Sequence, residues 1–343
     1  MLYKIFIRPF FFIFDAESVH NFVLKFLSEA VFLYPLFRRI YSPGKSSEVC
    51  INEIKFKNKL GLAAGFDKNG IAIRFWESIG FSHMEVGTVT PLPQTGNDRP
   101  RIFRLKKDEA LINRLGFNNK GADEIRDNIL EAKKLTGKDF VIGVNIGKNK
   151  ATPVRDAVND YRICFEKLYD AADYFTVNIS SPNTEGLRLL QEEMHLDKLL
   201  SEIQKLNIEI SKSKSSSLKC IFLKIAPDIT EEMAEMIYNV SVENNITGII
   251  ATNTTVQKIK LKTVINEQGG LSGKPLKQMS DNILKKLNIM NSKNKNALIL
   301  IGVGGVFSRS DFEDKINSGA FLVQIYTGFI YEGPSILKNI LSV

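Results

Sequence analysis

The sequence predicts an α/β fold, a (β/α)8 TIM barrel preceded by an N-terminal helical extension. Three observations predict it. Eight short apolar runs recur along the chain with helical or loop stretches between them; nearly every run ends in polar residues; and 343 residues suit one barrel of roughly 250–300 residues plus an extension. With 44% hydrophobic and 24% charged residues, the composition is that of a folded globular core.

The first forty residues stand apart, rich in Phe, Leu, Ile and Val. The run Phe10–Phe14 lies between Arg8-Pro9 and Asp15, well short of the roughly 20 residues needed to span a bilayer, and no small-residue cleavage site marks a secretory signal. Asp15 is placed to cap a second helix, in which Val19, Phe22, Val23, Phe26, Leu27 and Ala30 form an apolar stripe. Two short amphipathic helices before a barrel fit a segment lying on a membrane, and equally a cap packed on the barrel floor. Residues Ser42–Asn52, with Pro43-Gly44 and Ser46-Ser47, read as a linker. The chain thus divides into a segment 1–42 and a barrel 43–343.

The eight runs are Lys59–Gly65, His83–Val89, Val141–Gly147, Tyr174–Ser180, Cys220–Ala226, Gly248–Thr254, Leu298–Gly304 and Phe321–Thr327. Most are continuous and β-branched, as strands buried on both faces are. Helical stretches such as Asp156–Ala172, Leu196–Ile210 and Glu231–Asn244 separate them, which argues for a parallel sheet, and eight units argue for closure. The gap between Val89 and Val141 must hold an insertion that includes Arg101–Leu105 and Asn113–Asn119.

The net charge of +8 comes from scattered lysines, many in loops such as Ser211–Lys219 and Asn291–Asn296. Without a basic stripe interleaved with aromatics, nucleic acid is not an expected partner, and a basic surface suits an anionic membrane better. Cys50, Cys164 and Cys220 are far apart and form no CxxC, so no metal site and no disulfide framework is expected.

In barrels the chemistry sits at the C-terminal strand ends. Here those ends carry Asp67 and Lys68, Thr88, Asn145 and Lys148, Asn178 to Asn183, Lys224, Thr252 and Asn253, and Tyr326 and Thr327, which implies a lined pocket. Glycine clusters at 269–273, 302–305 and 328 suggest backbone amides facing a phosphate; tight turns are the alternative. Lys224, inside an apolar run, needs a partner or a role: charge stabilisation beside a reduced flavin, a Schiff base, or a structural ion pair. Asn113, Asn178, Asn183 and Asn253 offer the mixed donors and acceptors that match a small ring of alternating C=O and N–H, with Lys68 suited to a carboxylate; singly, each is more often a turn or surface residue.

At this point the motifs resemble a known family. AAGFDKNG at 63–70, EVGTVTP at 85–91, GNDRPR at 96–101, NRLGFNN at 113–119, NIGKN at 145–149, NISSPNT at 178–184, ATNTT at 251–255, GLSG at 270–273 and GVGG at 302–305 are similar, in order and spacing, to dihydroorotate dehydrogenases. The helical extension, and Ser181 where soluble relatives carry Cys, resemble the quinone-linked, membrane-associated class 2. Departures are Glu185 for a frequent Pro, Phe66 for Leu and Thr327 for Ser; Glu185 bears on the mobility of the loop after Ser181.

The resemblance implies oxidation of dihydroorotate to orotate in pyrimidine biosynthesis, with FMN as cofactor and a quinone as co-substrate. It implies Ser181 as base at C5, assisted by Thr184, while hydride passes from C6 to flavin N5. Lys68, Asn113, Arg114, Leu115, Gly116, Phe117, Asn178, Asn183, Asn253 and Thr254 are the implied substrate residues. Ala64, Gly65, Phe66, Asp67, Lys68, Thr88, Asn145, Asn178, Lys224, Thr252, Gly273, Gly305, Tyr326 and Thr327 are implied for FMN. His20, Arg104 and Tyr326 are implied for the inner end of a quinone tunnel; His20 read alone is also an ordinary surface-helix histidine. The implied setting is peripheral, on the cytoplasmic face of a bacterial inner membrane, as a monomer. Removal of residues 1–41 is then expected to spare flavin reduction and cripple quinone turnover.

Overall fold

The computed structural model describes all residues except Met1, Lys45, Ser46, Lys138, Asn296 and Val343, so part of the Ser46-Ser47 linker motif and the end of the 291–296 loop lie outside the described residues. Eight parallel strands close into a barrel in the order β3 (Leu60–Leu62), β4 (His83–Val89), β7 (Val141–Ile146), β8 (Tyr174–Asn178), β9 (Cys220–Ile225), β10 (Gly248–Ala251), β12 (Ile299–Val303) and β13 (Leu322–Ile325), the last pairing with the first. Each of the eight predicted runs contains one of these strands.

The two-residue period of a strand explains what the barrel holds. Met84, Val86, Ile142, Val144, Phe175, Val177, Leu223 and Val323 pack outward in the larger apolar core, which includes the surrounding helices. Those helices are α4 (Ile73–Ser78), α5 (Ala122–Lys133), α6 (Ala157–Leu168), α7 (Glu193–Lys214), α8 (Glu231–Glu243), α9 (Lys277–Lys293), α10 (Arg309–Asn317), α11 (Thr327–Glu332) and α12 (Ile336–Leu341). The alternate residues form a second core with Val141, Tyr174, Cys220, Phe222, Ile250, Ile301 and Leu322. Gly143 is required there, because a Cβ would lie 2.1 Å from the Tyr174 ring.

The barrel floor is closed by a short antiparallel hairpin, β1 (Val49–Ile51) and β2 (Ile54–Phe56), whose Ile51 and Phe56 enter the inner core. Residues 49–52, read as linker from the sequence, are thus partly strand: the Pro-Gly and Ser-Ser signals obscured two short runs whose apolar residues plug a barrel end. The predicted insertion is a hairpin, β5 (Ile102–Leu105) and β6 (Ala110–Asn113). It is joined by β11 (Gly270–Gly273), which pairs antiparallel with β6. The 269–273 glycine cluster, read as amides facing a phosphate or as tight turns, is mostly strand; a Cβ on Gly269 would lie 2.4 Å from the Asn113 carbonyl oxygen.

The extension has more pieces than the two expected helices: a short π-helix (Tyr3–Ile7) running into α1 (Arg8–Phe11), then α2 (Ala16–Glu29), and α3 (Tyr34–Tyr41) with Pro35 in its first turn. Asp15 caps α2, its carboxylate accepting from the Ser18 amide at 2.8 Å. The stripe divides. Leu27 and Ala30 are buried together with Leu24, whereas Phe22 and Phe26 are 63% and 47% exposed. The extension does not cap the floor: α2 packs on α4 and β5, and Phe12, just after α1, lies against Tyr331 beside strand-end residues of the opposite face.

Candidate active site

A polar pocket opens at the C-terminal strand ends, where inward-pointing positions of the strands change from apolar to polar. Ala64, Gly65 and Lys68 follow β3; Thr88 is next to last in β4; Asn178 ends β8, and Ser181 and Asn183 follow it; Lys224 comes from β9, and Thr252, Asn253 and Thr254 follow β10. Asn113, Leu115, Gly116 and Phe117 enter from the insertion, and Gly273, Gly305, Tyr326 and Thr327 close the far side. The structure thus brings together most of the implied substrate and cofactor positions.

Their side chains hold one another. Asn178 donates to Thr88 Oγ1 at 2.9 Å and to Asn145 Oδ1 at 3.1 Å, and Thr88 donates to Asn145 at 2.6 Å. Asn253 donates to Ser180 Oγ at 3.0 Å, and Asn183 to Asn113 at 3.3 Å. Ser181 is buried, its Oγ accepting from the Asn183 amide at 3.3 Å. Thr184 is buried one turn on, and its hydroxyl has no hydrogen-bond partner among the described residues.

Five implied residues lie outside the lining. Asn145 sits behind it, donating to Glu85 at 3.0 Å. Phe66 turns to the extension, packing on His20, Trp76 and Phe329. Asp67 is buried and accepts from the amides of Ile71 and Ala72 and from Trp76; burial pushes its carboxyl up, against those donors. Arg114 pairs with Glu267 and lies over Phe103, so that its chain neighbours, not its guanidinium, face the pocket. Thr184 is the fifth.

Sequence reasoning missed Glu85 and Gln324. Glu85 is fully buried, within 3.8 Å of Lys224 Nζ, and accepts from Gln324 at 2.8 Å. The signal was available: Glu85 alternates with outward Met84 and Val86, so it must point into the barrel. Lys148, noted at the end of its strand, faces away, donating to the Thr152 carbonyl at 2.9 Å.

Lys68 is half-buried and its ammonium donates to Asn118; loss of water around the amine, and then the nearby Arg101 charge, bring its pKa down to about 7, with Glu17 opposing.

A second cavity of about 440 Å3 lies between the extension and the barrel, lined by Val19, Val23, Phe26, Phe66, Phe329 and other apolar residues. His20, Arg104 and Tyr326 are among its polar members, with Tyr3 and Tyr41. Burial lowers His20 to about 4, so its imidazole is neutral near pH 7. Arg104 donates to the carbonyls of Phe11 and Phe14 and lies 4.7 Å over the Phe12 ring. Tyr326 lines both cavities, its hydroxyl donating to the Gly65 carbonyl at 3.3 Å. Among the described residues no group of histidines, cysteines and carboxylates is arranged to hold a metal ion.

A sequence model of the family described as dihydroorotate dehydrogenase matches residues 46–342. The chain is 45% identical over 344 residues to a dihydroorotate dehydrogenase (quinone) of Christiangramia forsetii, covering 99% of this chain and 97% of the relative. It is 44% identical to one of Photobacterium profundum, covering 99% of each. Among solved structures it superposes on that of DHODH from Eimeria tenella in complex with ferulenol with a TM-score of 0.87 at 35% identity, covering 95% of this chain and 89% of that one. Strand order, pocket and near full-length likeness agree, and the chain belongs to the dihydroorotate dehydrogenase family.

Proposed function

We propose that the chain oxidises dihydroorotate to orotate with FMN as its cofactor and a quinone as electron acceptor, the step that makes orotate for pyrimidine biosynthesis. The observation that carries this reading is the meeting of a polar pocket and an apolar cavity at one residue, Tyr326. A polar, carboxylate-bearing substrate suits the first and a hydrophobic acceptor the second.

The residues present fit FMN. The amides of Gly304, Gly305 and Val306 enter no backbone hydrogen bond among the described residues, and the hydroxyls of Ser272 and Thr327 lie 2.8 Å apart beside them, a donor set for a phosphate. Small residues, Ala64, Gly65 and Thr252, leave a flat floor for a ring, and Lys224 supplies a cation held near Glu85. Gly273 and Gly305 belong to the phosphate end, and Thr88, Asn145 and Asn178 to the ring and its chain; Phe66 and Asp67 support that wall from behind. Bound there, FMN supplies a two-electron acceptor for hydride.

Within the chain, Asn113, Asn178, Asn183, Asn253 and Thr254 orient the substrate ring, with the backbone of 114–117 closing over it. Lys68 holds the carboxylate by a charge-assisted hydrogen bond. Ser181 takes the C5 proton and its burial excludes bulk water; the Thr184 hydroxyl, buried and without a hydrogen-bond partner among the described residues, passes the proton on. His20, Arg104 and Tyr326 meet the quinone head.

Residues 1–42 form the acceptor-side segment and residues 43–343 the catalytic barrel. No helix among the described residues is long and apolar enough to cross a membrane. Phe6, Phe10, Phe14, Phe22 and Phe32 of the extension are more than half exposed, which supports peripheral attachment. A monomer on the cytoplasmic face of a bacterial inner membrane completes the proposal.

One experiment tests the core of it. Dihydroorotate added anaerobically to the purified yellow protein bleaches the flavin bands, and a quinone restores them. A flavin spectrum that dihydroorotate leaves unchanged overturns the substrate; a colourless protein that takes up no FMN overturns the reading.

A further inference from the structure

The expectation that removing the extension leaves the substrate side intact treats that extension as serving the acceptor alone. One side chain crosses over. Glu17, in the first turn of α2, is 6% exposed and is not among the residues that line the apolar cavity. Its carboxylate takes both Nε and Nη2 of Arg101, at 2.9 and 2.7 Å, and a third hydrogen bond from Arg99 at 3.1 Å. Burial opposes its charge, but the two arginines hold its pKa below the usual carboxylate range.

Arg101, 5% exposed, spends its remaining donor on the loop ahead of it: Nη1 donates to the carbonyls of Thr95 and Asn97, both at 2.7 Å. Gly96, between them at φ +81°, permits this close approach; a Cβ there would lie 2.2 Å from the Leu115 carbonyl oxygen and 2.8 Å from Arg101 Nη1. The Asn97 side chain then donates to the Arg114 carbonyl at 3.0 Å and to the Asn183 carbonyl at 3.1 Å. Asn183 lines the substrate pocket two residues from Ser181, and its own amide donates to the Ser181 hydroxyl. Four hydrogen-bonded links therefore run from the extension to the loop that carries the base. A buried guanidinium that loses its carboxylate partner must re-solvate or move, and its anchor on 95–97 moves with it.

We propose that Glu17 and Arg101 are positioning residues for the substrate pocket, so that the docked extension completes the dihydroorotate site as well as the acceptor side. The Arg101 charge also bears on Lys68, and Glu17 offsets it, so loss of Glu17 disfavours the charged amine that meets the substrate carboxylate.

The proposal rests on the dihydroorotate reading, and orotate binding to the unaltered holoprotein, followed by the shift of the flavin bands, checks that reading first. In Glu17→Gln the orotate dissociation constant and the dihydroorotate KM for anaerobic flavin reduction rise about tenfold, while the quinone KM stays within twofold. Glu17→Asp, which keeps the charge, recovers most of the loss. Should Glu17→Gln not yield holoprotein, Glu17→Asp alone decides: a threefold weaker orotate affinity at unchanged quinone KM supports the proposal. Orotate binding by unaltered protein but equal binding by the variants overturns it, as does an effect confined to the quinone KM.

Discussion

The two cavities that meet at Tyr326 are built on opposite physical terms. The pocket at the barrel mouth is walled by carboxamides and hydroxyls that hydrogen-bond one another on the ends of rigid parallel strands. The cavity under the extension is walled by Val, Leu and Phe from three short helices, with few polar groups. Hydrogen bonds are directional and costly to leave unmade in a buried site, whereas apolar contacts scale with area and tolerate repacking. A single change should therefore cost orders of magnitude in the pocket and a modest factor in the cavity.

The largest expected effect tests the pocket at its centre. If Ser181 is the base as proposed, Ser181→Ala keeps FMN bound while anaerobic flavin reduction by dihydroorotate falls about a thousandfold, the scale of lost general-base catalysis. Stopped-flow absorbance reads it directly. A variant reducing its flavin within tenfold of the normal rate would move the base elsewhere and make the pocket as forgiving as the cavity.

Lys68 gives the next effect and a pH signature. In the proposed function its charge meets the substrate carboxylate, and on that reading Lys68→Met should raise the orotate dissociation constant about thirtyfold, as for a lost hydrogen bond to a charged group. A lysine lowered to about 7 is mostly neutral above that pH in the free protein, so binding the anion must draw in a proton. Orotate affinity then weakens by up to tenfold per unit as pH rises above about 7. His20, lowered to about 4, does not titrate in that window. Titrations at several pH values check the slope, which disappears in Lys68→Met; a flat profile in the unaltered protein would mean that Lys68 stays charged throughout.

On the other side of Tyr326 the expected change is smaller and of another kind. Val19→Trp places a large ring in the apolar cavity. By the usual cost of overpacking it should raise the quinone KM about tenfold, with flavin reduction by dihydroorotate within twofold. Steady-state kinetics with varied quinone set beside the anaerobic half-reaction separate the two. Equal damage to both half-reactions would show that the cavities are mechanically one.

The same contrast explains what could be read from the sequence. Strands buried on both faces advertise themselves as continuous apolar runs, and polar residues at their ends mark the pocket, so Lys224, Asn178 and Thr252 were legible as pocket candidates. Glu85 was hidden in plain view: its role depends on which way the pleat points, and a run flanked by Met84 and Val86 reads as apolar. The floor hairpin was hidden because its strands are three residues each. In the extension, periodicity located α2 and its Asp15 cap. The burial of Leu24 over Phe22 was not legible, since a stripe on one helix does not say which neighbour covers it. Nor could the sequence show that Glu17, an unremarked acid in a first turn, meets Arg101 more than eighty residues on. Long-range ion pairs leave no periodic trace.

The smallest expected effect falls on the helix that serves both cavities. Asp15→Ala removes the side chain that accepts from the Ser18 amide, a loss of about 1 kcal/mol for a helix cap, read as a fall of about 2 °C in Tm. Because the cap holds the first turn, Ala16, Glu17 and Val19 loosen together, and the quinone KM and the orotate dissociation constant should each rise about twofold, the coupling expected for a shared, slightly frayed element. The Ser18 amide holds the Asp15 pKa below its ordinary value, so the cap contributes fully above the unfolded value near 4 and is lost as pH falls through the folded one. The difference in Tm between Asp15→Ala and the unaltered protein should therefore shrink on acidification below that range. If only the quinone KM responds to the lost cap, the first turn of α2 belongs to the acceptor side alone, and the link through Glu17 carries no energy between the two regions.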